Sequence, residues 1–210
     1  KLPRIYDDED LEITYDNVLK SETDLIINGI GGVGKSTIAK QLASDSIKEE
    51  GMLPLFIKGY DIKSITGDEN LTKEKIMNLS FGNLVSANKP NLRDKYVQLA
   101  QGSSNYKLLV DQLDDIEYDE YITDVRDLND TISDFFPKDT ENRTIMFVRK
   151  NKEQNQYKQL RIICPIEDIV TSLEEHGVNK PEIKTTLETI QTANGEKALV
   201  RADIKPLIPF

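Results

Sequence analysis

The sequence contains one cysteine and one histidine, and these two scarcities exclude several kinds of site. The single thiol, Cys164, cannot form an internal disulfide, nor can it build a zinc site from several thiolates. The single imidazole, His176, excludes a metal site made of several histidines and argues against a Ser/His/Asp triad. We therefore expect the function to depend on other side chains.

Long apolar runs and basic charge are also scarce. No run approaches the ~20 apolar residues of a membrane-spanning helix, and the first residues lack the apolar core of a signal peptide. The 210 residues include 37 acidic and 27 basic ones, so the formal net charge is −10. Phosphate backbones and anionic lipids repel such a chain, so we expect no general binding to nucleic acid or membranes. The composition predicts a cytoplasmic protein of one domain, or of one domain with a small appendage.

Short apolar runs alternate with helical patterns along the chain. Six runs rich in Ile, Val and Leu predict buried strands over residues 25–30, 53–57, 107–110, 144–148, 160–164 and 198–200. Apolar residues at helical spacing predict helices over 35–49 and 122–135, and two more within 71–101 that divide at Pro90. Strands that alternate with helices are typical of right-handed crossovers. We therefore predict an α/β fold with a mostly parallel, five-stranded sheet flanked by helices.

The composition changes after about residue 165. Residues 166–175 and 181–192 have the pattern of two short amphipathic helices joined by a turn that contains Gly177. A segment of roughly 45 residues is too short to bury a substantial core of its own. We therefore predict a main domain over residues 1–165 and a small helical extension over residues 166–210 that packs on it.

The strongest motif is a glycine-rich loop at residues 29–36, Gly-Ile-Gly-Gly-Val-Gly-Lys-Ser, which matches G-x-x-x-x-G-K-[ST] at every fixed position. It lies between a predicted strand and a predicted helix, so its N–H groups and the helix N-terminus can bind the same phosphate. The lysine of this motif reaches the β- and γ-phosphates, and its serine hydroxyl ligates Mg²⁺. The candidate nucleotide-binding residues are Gly29, Gly31, Gly32, Val33, Gly34, Lys35, Ser36 and Thr37.

A second motif places acidic residues at the end of a predicted strand, in the order Asp111-Gln112-Leu113-Asp114-Asp115. Parallel sheets bind ligands at the carboxyl ends of their strands. We expect Asp111 to hold a water in the outer shell of Mg²⁺ opposite Ser36, and Asp115 or Asp114 to polarise the water that attacks the γ-phosphate. The alternative is that this acidic segment is only a solvated loop.

A weaker signal is a cation at the end of another predicted strand. Arg149 follows residues 144–148, and from there a guanidinium group can contact the γ-phosphate. The other interpretation is a strand-end charge that faces water. Lys35, Asp114, Asp115 and Arg149 are therefore the candidate catalytic residues, and Ser36 and Asp111 are the candidate metal ligands.

Together these motifs resemble the STAND group of P-loop NTPases, which includes the NACHT and NB-ARC domains of immune-type receptors. Residues 29–39 resemble their phosphate loop, residues 53–57 resemble their proline-containing second strand, and residues 111–115 resemble their acidic segment. Arg149 takes the place of the arginine that ends their fourth strand, and residues 164–169 resemble the step into their helical region. The resemblance covers about residues 21–175.

The resemblance implies a Mg²⁺-dependent ATP-binding and slowly ATP-hydrolysing switch within a larger signalling or defence-type protein. ADP would hold a closed state and ATP an open state, which associates with itself or contacts sensor and effector domains. The first residue is not methionine, and we accordingly expect a piece of a longer protein. ATP is favoured over GTP because the sequence has no guanine-specific Asn-Lys-x-Asp segment.

The sequence departs from the pattern of the family at three places. Gln112 stands where a small residue is usual, and Asp115 stands where glutamate is commoner. Phe147-Val148 replaces the Thr-Thr or Thr-Ser that usually precedes the arginine. The shorter side chain of Asp115 implies that hydrolysis is slow or needs a partner.

Two other functions stay open at this point. One is a P-loop kinase or phosphotransferase, in which arginines such as Arg143, Arg149 and Arg161 would close a lid over the phosphates. The other is an interaction module that holds a nucleotide without turnover.

Overall fold

The computed structural model describes residues 3–29, 33–50, 52–84, 90–102, 105–113, 118–136, 142–149 and 157–163. In this part of the chain the strands are β1 (Arg4–Tyr6), β2 (Glu12–Ile13), β3 (Leu25–Asn28), β4 (Leu53–Lys58), β5 (Tyr106–Asp111), β6 (Arg143–Val148) and β7 (Lys158–Ile163). They form one sheet in the order β2-β1-β7-β3-β6-β5-β4. Strands β3 to β7 are parallel to their neighbours within this set.

Six α-helices accompany these strands in the described residues. They are α1 (Tyr15–Leu19), α2 (Lys35–Asp45), α3 (Ile62–Thr66), α4 (Lys73–Leu84), α5 (Pro90–Gly102) and α6 (Tyr118–Ser133). A π-helical turn at Ser46–Glu50 continues α2, and a 3₁₀ turn at Gly59–Asp61 precedes α3. None of the helices in the described ranges is long and apolar enough to cross a membrane.

The predicted α/β class and the mostly parallel sheet with flanking helices are confirmed. Each of β3 to β7 begins and ends within about two residues of the bounds predicted for it. The strand predicted over residues 198–200, the helices predicted after residue 165 and the domain boundary lie outside the described residues.

The sheet has seven strands where five were predicted, because a short hairpin extends it beyond β7. Strand β1 runs antiparallel to β7, with Ile5 opposite Ile162, and β2 runs antiparallel to β1. The acidic turn between them is locally ordered, since Asp7 Oδ1 accepts hydrogen bonds from the backbone N–H groups of Glu9 and Leu11. Strands of three and two residues are too short to show the alternation that predicts a strand.

The two faces of the sheet bury two separate core clusters. One face packs against α1 and α2; its buried side chains include Leu25, Ile27, Ile38, Ala39, Leu42, Leu109, Ile145 and Phe147. The other packs against α3 to α6; its buried side chains include Ile26, Leu55, Ile57, Ile62, Ile76, Tyr96, Val110, Leu128 and Met146. Helix α2 therefore lies on one face of the sheet, and the helices that connect the later strands pack on the other cluster.

Helix α4 protects the outer edge of β4 by hydrogen bonding to its backbone. The Phe56 N–H donates to Ser80 Oγ over 2.8 Å, and Ser80 Oγ donates to the Pro54 carbonyl oxygen over 3.4 Å. Asn83 Nδ2 donates to the Phe56 carbonyl oxygen over 3.3 Å. The Tyr96 hydroxyl, whose pKa is raised by burial, donates to Ser80 Oγ over 2.8 Å. A sheet edge with unsatisfied backbone groups would invite pairing with another chain, and these bonds remove that opportunity.

We expect Ser80→Ala to lower the free energy of unfolding by about 2 kcal/mol, because it leaves the buried Phe56 N–H and Tyr96 hydroxyl without their acceptor. Urea unfolding measures the change. Ser64→Ala is the matched control, since its exposed hydroxyl donates only to the Asp61 carbonyl oxygen, and it should change the free energy by less than about 0.5 kcal/mol. Equal values for the two variants would contradict the assigned role of Ser80.

Candidate functional site

The glycine-rich loop lies where the connections of the sheet diverge. The chain leaves β3 through α2 and crosses past β6 and β5 to reach β4, whereas the later strands return in the opposite direction. Right-handed crossovers that run in opposite directions place their helices on opposite faces, as the two core clusters show. A crevice opens at the carboxyl ends of the strands at such a point, and this is the usual ligand site of open α/β sheets. The loop between β3 and α2 begins there.

The N-terminus of α2 is suited to an anion. Gly34 is its N-cap residue with φ of 104°, a conformation that glycine adopts without steric cost, and no side chain among the described residues caps the helix. The first turn contains no acidic residue. The first N–H groups of a helix have no acceptors within the helix, and the helix dipole adds positive potential at the same place. An anion at this terminus would therefore meet N–H donors and no opposing carboxylate from the first turn.

The Lys35 side chain folds back toward the first residue of the loop. The residue is 7% exposed, and its Nζ donates a hydrogen bond to the Gly29 carbonyl oxygen. At the other end of the loop, Val33 is buried in the core cluster under α2. The two ends of the loop are thus anchored to the sheet, and a positive charge is held beside its first residue.

Asp111 lies on the same face of the sheet as α2. The pairing puts Ile27, Phe147 and Asp111 in one row across β3, β6 and β5, and the first two pack in the cluster under α2. Asp111 is 2% exposed, and none of the described hydrogen bonds or ion pairs involves its carboxylate. A carboxylate buried in this way is unfavourable until a cation, a water or a donor reaches it. Asp111 is therefore chemically suited to the outer shell of Mg²⁺.

Arg149 stands beside the first residue of the loop. Asn28 pairs with Val148 in register, and the Gly29 N–H donates to the Val148 carbonyl oxygen over 3.0 Å. The next residue, Arg149, is exposed at the carboxyl end of β6. The structure thus brings a cation to the edge of the sheet where the loop begins.

Of the other predicted site residues, some lie in the described part of the chain and some lie outside it. Ser36 is half-buried and Thr37 is exposed, both in the first turn of α2. Four residues lie outside the described part of the chain: Gly31, Gly32, Asp114 and Asp115.

Arg143 and Arg161, two of the arginines that a kinase lid could use, lie in different parts of the sheet. Arg143 begins β6, at the amino end of the sheet, which is the edge opposite the loop. Arg161 lies on β7 and forms an ion pair with Asp10 of the turn between β1 and β2. The position of Arg143 argues against its part in a lid over phosphates.

Two further residues lie next to the site, and only the second of them, Gln112, has a signal in the sequence. Pro3, just before β1, lies against the helix start, because a Cβ built on Gly34 would be 3.0 Å from Pro3 Cγ. Gln112 has φ of 60° directly after Asp111. The resemblance marks Gln112 as the replacement for a small residue, and among small residues glycine adopts this left-handed conformation without steric cost.

A Mg²⁺ ion at this site would depend on few protein ligands. Within the described residues, no group of three or more His, Cys, Asp or Glu side chains could hold a metal ion. Mg²⁺ usually keeps several waters and binds one or two protein groups together with phosphate oxygens. The Ser36 hydroxyl and the Asp111 carboxylate fit that smaller requirement.

No protein-family model matches the chain, and no curated protein matches it. The resemblance described above therefore depends on the motifs and on where the fold places them.

We expect Gln112→Gly to raise the free energy of unfolding by about 1 kcal/mol, because glycine removes the steric cost of the left-handed conformation. Chemical denaturation measures the change. Gln98→Gly is the matched control, since the exposed Gln98 lies inside α5 and glycine should lower the stability there by about 1 kcal/mol. A loss of stability in both variants would contradict the assignment.

Proposed function

We propose that this chain is a Mg²⁺-dependent nucleotide-binding domain that binds ATP, hydrolyses it slowly and acts as a molecular switch in a larger signalling or defence-type protein of the STAND kind. One observation carries the proposal. A loop with the complete phosphate-binding motif joins a buried strand to a helix that no side chain of the described residues caps, and Lys35 bonds to the first residue of the loop while Asp111 is buried on the same face.

The first step is binding of the triphosphate. The N–H groups at the start of α2 and the loop donate to phosphate oxygens, and Gly34 lets the backbone approach them. Lys35 Nζ exchanges the Gly29 carbonyl oxygen for the β- and γ-phosphate oxygens. The exchange replaces a neutral acceptor by a charged one, and charge-assisted bonds of this kind are roughly twice as strong.

The second step is orientation of the reacting groups. Mg²⁺, when bound with the nucleotide, neutralises charge on the β- and γ-phosphates. Ser36 offers its hydroxyl as a ligand, and Asp111 accepts hydrogen bonds from a water in the outer shell. Asp111 as a residue is 2% exposed, and hydrogen bonds in so buried a setting are stronger than in bulk water.

The third step is attack by water. Asp115, or Asp114, accepts the proton of the attacking water, and Arg149 stabilises the charge that develops on the γ-phosphate. Aspartate is one methylene shorter than glutamate, so its carboxylate has a shorter reach from the backbone, and we expect turnover to be slow. Slow turnover suits a switch, because the ATP-bound state must persist long enough to engage a partner.

We expect Lys35→Ala to weaken ATP binding at least tenfold, about 1.4 kcal/mol, and Asp115→Asn to bind ATP normally while losing about 10²-fold in turnover. Calorimetry measures the binding of Mg-ATP, and phosphate release under single-turnover conditions measures hydrolysis. Lys40→Ala is the matched control, because Lys40 is exposed on the same helix and should change neither quantity.

Other outcomes would change the proposal in defined ways. Equal ATP affinity in the wild type and Lys35→Ala would refute the nucleotide site itself. Unchanged hydrolysis by Asp115→Asn would transfer the role of base to Asp114 or to a partner. Binding without hydrolysis in the wild type would favour the module that only holds a nucleotide, and phosphate transfer to an added acceptor would favour the kinase.

A further inference from the structure

Gly59 has no room for a side chain because the backbone that follows Asp111 passes against it. Strand β4 ends at Lys58, which pairs with Asp111, so the next residue, Gly59, lies opposite Gln112. A Cβ on Gly59 would be 3.1 Å from the Gln112 carbonyl carbon and 3.2 Å from Leu113 Cα, and it would lie even closer to the Gln112 carbonyl oxygen. These are backbone atoms, so no rotamer change can relieve the overlap.

The turn beside Gly59 moves the chain from one face of the sheet to the other. Residues two apart in a regular strand lie on the same face. Asp111 nevertheless lies on the face of α2, whereas Leu113 is 2% exposed in the cluster that packs against α3 and α6. Gln112, with its left-handed φ of 60°, is the residue that produces this change.

The turn has two consequences for the proposed chemistry. It ends β5 directly at Asp111, so the orientation of that carboxylate depends on the backbone of Gln112. It also anchors Leu113, the residue that immediately precedes Asp114 in the chain. Any displacement of this turn therefore acts on Asp111 and on Leu113, from which the chain continues to Asp114.

We infer that Gly59 is a positioning residue for Mg-nucleotide: by leaving space for the Gln112–Leu113 turn, it fixes the direction in which Asp111 meets the metal-bound water. This inference rests on the proposed function. Gly59 itself lies at the end of a different strand and contributes no side chain to the phosphates or to the metal ion.

The test measures ATP affinity in Mg²⁺ and in EDTA. The affinity in Mg²⁺ divided by the affinity in EDTA is called the magnesium factor. The affinity in EDTA reports the loop and Lys35, whereas the magnesium factor reports Asp111 and Ser36. The variants are Gly59→Ala, Asp111→Asn as the reference for loss, and Gly82→Ala as the matched control. A Cβ on Gly82, within α4, would meet no atom within 4 Å.

We expect Gly59→Ala to lower the magnesium factor at least fivefold, toward that of Asp111→Asn, while its affinity in EDTA stays within twofold of the wild type. Single-turnover hydrolysis should fall at least tenfold. Gly82→Ala should leave all three quantities unchanged. Adding Gln112→Gly to Gly59→Ala should restore part of the magnesium factor, because glycine lets the carbonyl of residue 112 rotate away from the new Cβ. A merely structural role of Gly59 predicts instead equal losses of affinity in EDTA and in Mg²⁺.

A second pair of variants covers the case in which Gly59→Ala does not fold, as judged by circular dichroism. Leu113→Val shortens the anchor of the same turn and should lower the magnesium factor about threefold. Leu128→Val is its control: it removes the same volume from α6 in the same core cluster, and it should leave the magnesium factor unchanged.

Several results would overturn the inference, and they differ from those that overturn the function. A wild-type magnesium factor in Gly59→Ala or in Leu113→Val refutes the positioning role while leaving the nucleotide site intact. Equal losses in EDTA and in Mg²⁺ also refute it, since they indicate general damage. A wild-type chain that binds no ATP, or whose magnesium factor equals that of Asp111→Asn, overturns the proposed function and this inference together.

Discussion

The parallel pairing of β3 with β6, and of β6 with β5, is the constraint on which the candidate site depends. It aligns the ends of three strands that are far apart in sequence, so that Gly29, Arg149 and Asp111 reach one edge of the sheet. A shift of this register by one residue would turn Asp111 to the other face, away from α2. The apolar rows beneath the site, such as Leu25, Ile145 and Leu109, hold the register because they fill the core under α2.

Burial gives the two charged residues of the site their significance. Lys35 donates to a backbone carbonyl oxygen, and among the described residues the Asp111 carboxylate takes part in no hydrogen bond or ion pair. A carboxylate that loses its water without gaining such partners destabilises the folded chain. A ligand that supplies those partners stabilises the folded state in proportion to its affinity, and it favours whichever arrangement of domains keeps the partners in place. In the proposed function, this would be the physical link between nucleotide binding and a change of state.

The edges of the sheet are closed by parts of the chain whose roles could not be predicted from local pattern. Ser80 and Asn83 read in the sequence as polar residues of a helix, but in the fold they bind the backbone of β4. The hairpin of β1 and β2 covers the other side next to β7, and it brings Pro3 to the start of α2. Neither arrangement has a periodic signature, because each depends on which strands end up at an edge.

The sequence by itself determined the α/β class, the five parallel strands within about two residues, and the phosphate-loop motif, since these depend on short apolar runs and on residues close together in the chain. Only the tertiary structure decided that Asp111 faces α2, that Arg149 adjoins Gly29, and that the backbone after Asp111 needs a glycine at position 59. Those relations join residues 50 to 120 positions apart along the chain. They arise when packing selects one strand order, and no local pattern carries that choice.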